Sequence, residues 1–290
     1  MNIVITGAAG FLGQELVRQL AGRHDLYCLT RQVTDTLPGG RGVHWIAMDL
    51  SAGLDRSRLP ARADAIIHLA QSNGYRNFPD GAPDVFAVNI RLVQELCEYG
   101  LSAGITRLVL ASTGTVYEPF AAPLHEDSAL RPTGYYGASK LAAELISGAY
   151  SGKFAVSNLR VFFLYGPGQR NMLIARLIDN VRAGQKVTLP ADGEGLVFVP
   201  TYVGDTAGVF VRAVEDGWSG PINVASPHAI SLGGLLRTIS AQTGMALNVE
   251  RTDAASPGPI VPDLARLAER IDLATFLTPG DGIRRTLAGA

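Results

Sequence analysis

Asn2-Ile3-Val4-Ile5-Thr6-Gly7-Ala8-Ala9-Gly10-Phe11-Leu12-Gly13 is the stretch on which the fold turns. Its apolar run, Ile3-Val4-Ile5, predicts a buried strand, and the run breaks into glycines spaced Gly-x-x-Gly-x-x-Gly. Gly7 permits a tight turn, Gly10 leaves the backbone bare toward a ligand, and Gly13 lets a helix pack close to the strand. That helix would aim its first N–H groups at the phosphates of a dinucleotide. Far downstream, Tyr136-Gly137-Ala138-Ser139-Lys140 sets a tyrosine and a lysine four residues apart, on one helix face. Either feature alone arises by chance. In this order, about one mononucleotide-binding half apart, they specify a dinucleotide site and a group that moves a proton beside it.

Outward from the turn, short apolar runs alternate with helical stretches. Residues 2–6, 25–29, 43–48, 65–69, 107–112 and 155–161 read as strands; 11–21, 85–103 and 136–150 carry the i, i+3, i+4 spacing of helices. Runs such as Ile66-Ile67 and Leu108-Val109-Leu110 suit a parallel sheet covered on both sides. The predicted fold class is α/β, a doubly wound parallel (Rossmann) sheet with a smaller C-terminal substrate lobe. After Gly166-Pro167-Gly168 the elements shorten, with helices at 173–183, 206–215 and 232–243 and strands at 197–203 and 221–225. The boundary expected is 1–165 for the dinucleotide-binding domain and 166–290 for the substrate-binding lobe, with segments near 197–216 returning to the main sheet. No internal repeat or low-complexity tract separates the two.

The 290 residues are 47% hydrophobic, enough for a substantial core. A formal net charge of -1 supplies no field for nucleic acid or an anionic membrane. No apolar run approaches the roughly 18 residues of a spanning helix, and the N-terminus lacks a basic leader region, so the expected location is cytoplasmic. Cys28 and Cys97 sit among apolar residues and read as buried thiols. No His, Cys or Asp grouping has metal spacing, and no Gly-x-Ser-x-Gly elbow marks a serine hydrolase.

The end of the second strand bears on the cofactor. NAD sites usually place a carboxylate there for the ribose hydroxyls; this chain has Leu29-Thr30-Arg31. NADP is therefore the expected cofactor, with NAD the alternative, and Arg31 would clamp the 2′-phosphate unless it is simply a solvated arginine. Asp49, in Met48-Asp49-Leu50, meets the adenine edge or caps a turn. Lys140 beside Tyr136 is expected to lower the phenol below its ordinary value near ~10, so that it exchanges a proton with a sugar or alcohol oxygen. Ser112-Thr113 closes the strand at 107–112, at the carboxyl edge where open sheets place ligands.

These segments resemble the extended short-chain dehydrogenase/reductases, also called the NAD-dependent epimerase/dehydratase family. The resemblance covers nearly the whole chain. It rests on residues 6–13, Ile67-His68-Leu69-Ala70, Asn89 and Ala111-Ser112-Thr113-Gly114-Thr115-Val116-Tyr117. It continues through 136–140, Leu159-Arg160-Val161-Phe162, Tyr165-Gly166-Pro167-Gly168 and Tyr202-Val203-Gly204-Asp205. It implies Tyr136 as general acid/base, with Lys140 lowering its pKa and bonding the nicotinamide ribose. It implies Thr113, with Ser112 as fallback, as the donor to the reacting oxygen, and Asn89 beside the cofactor. Cofactor contacts are expected at Gly7, Gly10, Phe11, Leu12, Gly13, Leu50, Leu69, Ala70 and Ala111, besides Arg31 and Asp49. A homodimer paired through 85–103 and 136–150 is implied as well. His68 is expected to be a packed histidine, and His125-Glu126-Asp127 a solvated or substrate-rim cluster.

Three departures bear on the substrate. Gly114-Thr115 stands where the family's sugar 4,6-dehydratases carry an Asp-Glu pair, which disfavours water elimination. Phe163 replaces an asparagine common in nucleotide-sugar enzymes, and Val197-Phe198-Val199-Pro200-Thr201 lacks an arginine often aimed at sugar-nucleotide phosphates. The leading expectation is an NADP-preferring oxidoreductase that transfers a hydride to or from a sugar-like carbonyl or alcohol, with a nucleotide-linked 4-keto sugar and a compact free sugar acid, lactone or ketone as the candidate substrates. The alternative is a nucleotide-sugar 4-epimerase with retained NAD. A non-catalytic nucleotide sensor is a third reading, against which the intact Tyr136 and Lys140 argue.

Overall fold

The computed structural model describes residues 1–120 and 124–289. Along the chain run β1 (Asn2–Thr6), α1 (Phe11–Leu20), β2 (Asp25–Thr30), β3 (Val43–Ala47), β4 (Ala65–His68) and α2 (Ala82–Val85). A π-helical turn, Phe86–Arg91, leads into α3 (Leu92–Ala103), β5 (Arg107–Thr113), α4 (Tyr135–Gly148) and β6 (Ala155–Val161). Then come β7 (Leu164–Tyr165), α5 (Leu173–Arg182), β8 (Val187–Pro190), β9 (Val197–Phe198), β10 (Thr201–Tyr202) and α6 (Val203–Asp216). The chain closes with β11 (Gly220–Val224), β12 (Ile230–Ser231), α7 (Leu232–Thr243), β13 (Val249–Thr252), α8 (Ala265–Ala268) and α9 (Pro279–Ala288). Two compact units result: Met1–Pro119 with Ala129–Val161 and Ala207–Ile222, and Phe120–Ser128 with Phe162–Thr206 and Asn223–Ala290.

The first unit is built on a seven-stranded sheet in the order β11-β6-β5-β4-β1-β2-β3. From β3 to β6 every pairing is parallel, the doubly wound arrangement expected from the alternation of strands and helices. Ile3, Val4 and Ile5 of β1 and Ile66 and Ile67 of β4 are fully buried. Each such side chain contributes about 1.5–3 kcal/mol on leaving water, which sends strands of this composition to the middle of the sheet. On one face Val4, Leu29 and Leu108 meet Leu92, Leu96 and Cys97 of α3. Both cysteines are buried free thiols, and burial pushes each up to about 12.

Two elements depart from the sequence reading. The single helix expected over 85–103 contains the π turn, which seats the side chain of Asn89 in the interior. The strand expected over 197–203 splits at Pro200, which has no N–H to donate, into β9 and β10. These halves take different partners: β9 pairs antiparallel with β12, and β10 pairs parallel with β7. The second unit packs Tyr165, Ile178, Phe198, Leu235, Leu236 and Ile283 into its own core. Among the described residues no helix is long and apolar enough to cross a membrane.

Candidate active site

The glycine turn divides its labour sharply. A Cβ on Gly7, where φ is +69, would lie 2.6 Å from the Ala70 nitrogen, and one on Gly13 would lie 2.3 Å from the Gly7 oxygen. Both positions are closed by the protein itself. A Cβ on Gly10 would meet only the Gly7 oxygen, at 3.0 Å, and Gly10 is exposed. It is the member of the three that a ligand could approach. Gly10 is also the N-cap of α1, with no side-chain cap and no acidic residue in the first turn. The leading N–H groups of α1, at Phe11, Leu12 and Gly13, are thus left without a side-chain acceptor, and that suits a diphosphate.

Around the carboxyl ends of β2 and β3, Arg31 and Asp49 line one open pocket with Arg56 and Arg58. Arg31 is exposed and makes no hydrogen bond or ion pair among the described residues. Asp49 is likewise exposed, and its Oδ1 accepts from Ser51 N at 3.0 Å and Ser51 Oγ at 2.7 Å. Those bonds, with help from the Arg31 charge, hold its carboxyl below the usual range. Of the two roles open to Asp49, turn capping is visible. Leu50 and Ala70 have joined the apolar core, and the backbone N–H groups of Leu69 and Ala70 donate to Thr6 O and Thr6 Oγ1.

The Thr6 hydroxyl in turn meets His68 Nδ1 at 2.7 Å. The same hydroxyl accepts from Ala70 N at 3.2 Å, so it ties the end of β1 to the end of β4. Burial, reinforced by the Lys140 charge, pushes His68 down to about 3 and keeps it neutral.

Tyr136 stands in the first turn of α4, and its hydroxyl donates to Gln71 Oε1 at 2.9 Å. The Tyr75 ring lies against it, centroids 4.6 Å apart. Lys140, one turn on, is buried, and its Nζ donates to Ala111 O at 2.6 Å. Thr113 Oγ1 accepts from Thr115 N and donates to Thr115 Oγ1. Spacing alone suggested a phenol lowered by Lys140, but the direction found is the opposite. Loss of water pushes Tyr136 up to about 12, only partly offset by the polar side chains of Thr113 and Gln71 beside it. Burial also pulls Lys140 down to about 8, opposed by the Glu144 carboxylate.

Behind the site two sets of buried bonds fix these groups. Asn89 joins the loop after β4 to α4: its Oδ1 accepts from Ser72 N at 3.0 Å, and its Nδ2 donates to Ser139 Oγ at 3.0 Å. Ser139 Oγ donates to the Tyr136 carbonyl at 2.8 Å. Glu144, four residues past Lys140, accepts from Ser112 Oγ and from Arg160 Nη2 at 2.7 Å. Arg160 also donates to Tyr117 O–H at 2.7 Å. Ser112 thus turns its hydroxyl to Glu144, on the strand face opposite Thr113. Gln71, Tyr75, Ser139 and Glu144 escape sequence reading; only Ser139 and Glu144 leave a trace, at helical spacings from Tyr136 and Lys140.

In the second unit the His125-Glu126-Asp127 segment splits its roles. Asp127 is exposed, whereas Glu126 is buried and its Oε1 accepts from Asn223 N at 2.9 Å. His125, Glu126 and Asp263 bring ligand-type atoms within 4.8 Å of one another, with Arg266 Nε 3.9 Å from Glu126 supplying positive charge at the same place. Phe163 takes a left-handed φ of +39 and packs on Phe198, ring centroids 4.8 Å apart.

The profile of the NAD dependent epimerase/dehydratase family matches residues 3–225. This chain belongs to that family. Among curated family relatives, the "Uncharacterized UDP-glucose epimerase YtcB" of Bacillus subtilis is 30% identical over 67% of this chain and 66% of its own length. The dTDP-4-dehydro-6-deoxy-D-allose reductase of Streptomyces bikiniensis is 27% identical over 93% of this chain and 90% of its own. The solved structure of MoeE5 in complex with UDP-glucose and NAD is 28% identical, with a TM-score of 0.84 over 100% of this chain and 98% of that one. The Rossmann architecture and the enzyme family are thereby those expected from the glycine turn and the Tyr136–Lys140 spacing.

Proposed function

We propose that this protein is a nicotinamide-dependent oxidoreductase that moves a hydride to or from an oxygen-bearing carbon of a sugar, with NADP preferred. The observation that carries the reading is the convergence of the Tyr136 phenol, the Thr113 hydroxyl and buried Lys140 on the sheet edge that also holds the open Gly10 turn. The dinucleotide, when bound along that turn, supplies the hydride donor or acceptor. The chain's own part is protonic. Tyr136 O–H gives its proton to the substrate oxygen as the carbon is reduced and takes it back in the reverse direction. Thr113 Oγ1 bonds the same oxygen. Lys140, cationic below about 8 and fixed on the Ala111 carbonyl, favours the phenolate left behind.

NADP is favoured by the missing carboxylate at the end of β2 and by Arg31, exposed and in no hydrogen bond or ion pair among the described residues, with Asp49 acting on it only through its charge. A nucleotide-linked sugar is favoured as substrate by the names of the relatives and by the UDP-glucose in MoeE5. The second reading is a nucleotide-sugar 4-epimerase with retained NAD, supported by the NAD in MoeE5. A cytoplasmic homodimer through α3 and α4 goes with either; Leu101 and Leu145 are exposed on those helices. Denaturing the purified protein and weighing any released nucleotide separates the two readings. Stoichiometric NAD(H) favours the epimerase; NADP(H), or an empty site that binds NADPH more tightly than NADH, favours the reductase. Tyr136→Phe should abolish turnover and keep cofactor binding; near-normal turnover would refute Tyr136 as the acid/base.

A further inference from the structure

Gln71 is an exposed residue with a fixed base. On one side Ala70 N is bonded to Thr6 Oγ1 at 3.2 Å; on the other, Ser72 N is bonded to Asn89 Oδ1 at 3.0 Å. Ser72 Oγ also donates to Asp84 and accepts from Gly74 N at 2.9 Å. The backbone that carries Gln71 is therefore pinned to the nucleotide turn and, through Asn89 and Ser139, to the helix of Tyr136. From that base the long side chain, which gives up rotamer freedom when held, reaches the reactive phenol and accepts its hydrogen at 2.9 Å.

A phenol has one hydrogen to donate. A substrate oxygen that receives it must take the place of Gln71 Oε1. The displaced carboxamide, with one acceptor and two donor positions, is then left beside the reacting carbon. A simple ketone offers that amide nothing. A sugar offers a hydroxyl on the adjoining carbon.

We propose that Gln71 is a substrate-contacting specificity residue, which yields the Tyr136 phenol to the reacting oxygen and re-bonds to an oxygen on the neighbouring carbon, selecting polyhydroxylated substrates. This rests on the reading that Tyr136 meets a sugar oxygen. The Tyr75 ring packs against the Tyr136 ring, so the exchange of partners occurs without swinging Tyr136 away.

The test is calorimetric titration of the intact protein, saturated with NADPH or NADH, with UDP and with UDP-glucose. Gln71→Ala and Gln71→Met, the second of similar length but without polar atoms, are compared with the parent. Both should weaken UDP-glucose about three- to tenfold, the worth of one neutral hydrogen bond, and leave UDP and cofactor affinity unchanged. Equal loss for UDP and UDP-glucose, no loss, or a loss confined to the Ala variant overturns the inference. A parent protein that does not prefer UDP-glucose to UDP overturns the sugar-nucleotide reading and this inference together; a preference that survives both substitutions overturns the inference alone.

Discussion

Glu144→Gln should be among the most damaging single changes of a side chain that touches no ligand. The carboxylate receives Arg160 Nε at 3.1 and 3.3 Å, Arg160 Nη2 at 2.7 Å, and the Ser112 hydroxyl. Both partners are shut away from solvent, with 3% of the Arg160 side chain and 5% of the Glu144 side chain exposed. An amide there leaves the guanidinium buried without its counter-charge, and breaking a buried pair on one side costs about 3–5 kcal/mol. Domain stabilities are about 5–15 kcal/mol, so about a fifth or more of the total is at stake. With a urea slope of about 1–3 kcal/mol per molar, the unfolding midpoint should fall by about 1–5 M, read by circular dichroism. The double variant Glu144→Leu with Arg160→Met removes both charges and should recover most of that loss. A single variant within about 0.3 M of the parent, or a double variant less stable than the single, would refute the view that this pair is a closed ionic joint.

The glycines allow a cleaner division of stability from binding. Gly13→Ala, with its Cβ 2.3 Å from the Gly7 oxygen, should cost about 1–3 kcal/mol, measured as a lowered melting temperature. Gly10→Ala should melt near the parent yet bind NADPH or NADH about tenfold or more weakly by fluorescence titration; a matched loss of stability would count against an open phosphate approach. His68 is held at about 3 in the fold against 6.5 when unfolded, so its share of stability is present above pH 6.5 and lost as pH falls toward 3. His68→Gln should flatten that part of the urea midpoint–pH curve, and an unchanged acid limb would contradict the buried neutral ring. Lys140, at about 8 against 10.5, contributes stability that is present above 10.5 and lost as pH falls through 8. Lys140→Met should therefore melt higher than the parent at neutral pH, with the gap closing toward pH 10.5; a constant gap would mean that burial is not what pulls the ammonium down.

Much of this was legible because the rules that govern it are local. A β-branched run, three glycines and a helical period define the turn by sterics alone, and Tyr136 and Lys140 share a face by helix geometry. What was hidden depends on contacts across the sheet. The partner of Tyr136 is 65 residues away and that of His68 is 62, and neither pairing leaves a period in the sequence. Spacing put Lys140 on the right face but said nothing of how far the fold takes the phenol out of water, so the direction of the phenol's shift was misjudged. The apolar rhythm over 85–103 looked continuous because a π turn adds its residue without breaking that rhythm, and this is what brings Asn89 inward.

The central position of β1 has a consequence for synthesis. Its flanking partners are β2 and β4, and β4 leaves the ribosome only some sixty residues after β1. At about 5–20 residues per second, β1 spends seconds without its second neighbour, as an apolar strand with a bare edge. The first unit is not complete until Ile222 has been made, because its last segment follows a stretch that belongs to the second. A chain stalled before that point carries the whole glycine turn and the Tyr136–Lys140 pair but an unfinished sheet, so it is a substrate for chaperones before it is an enzyme.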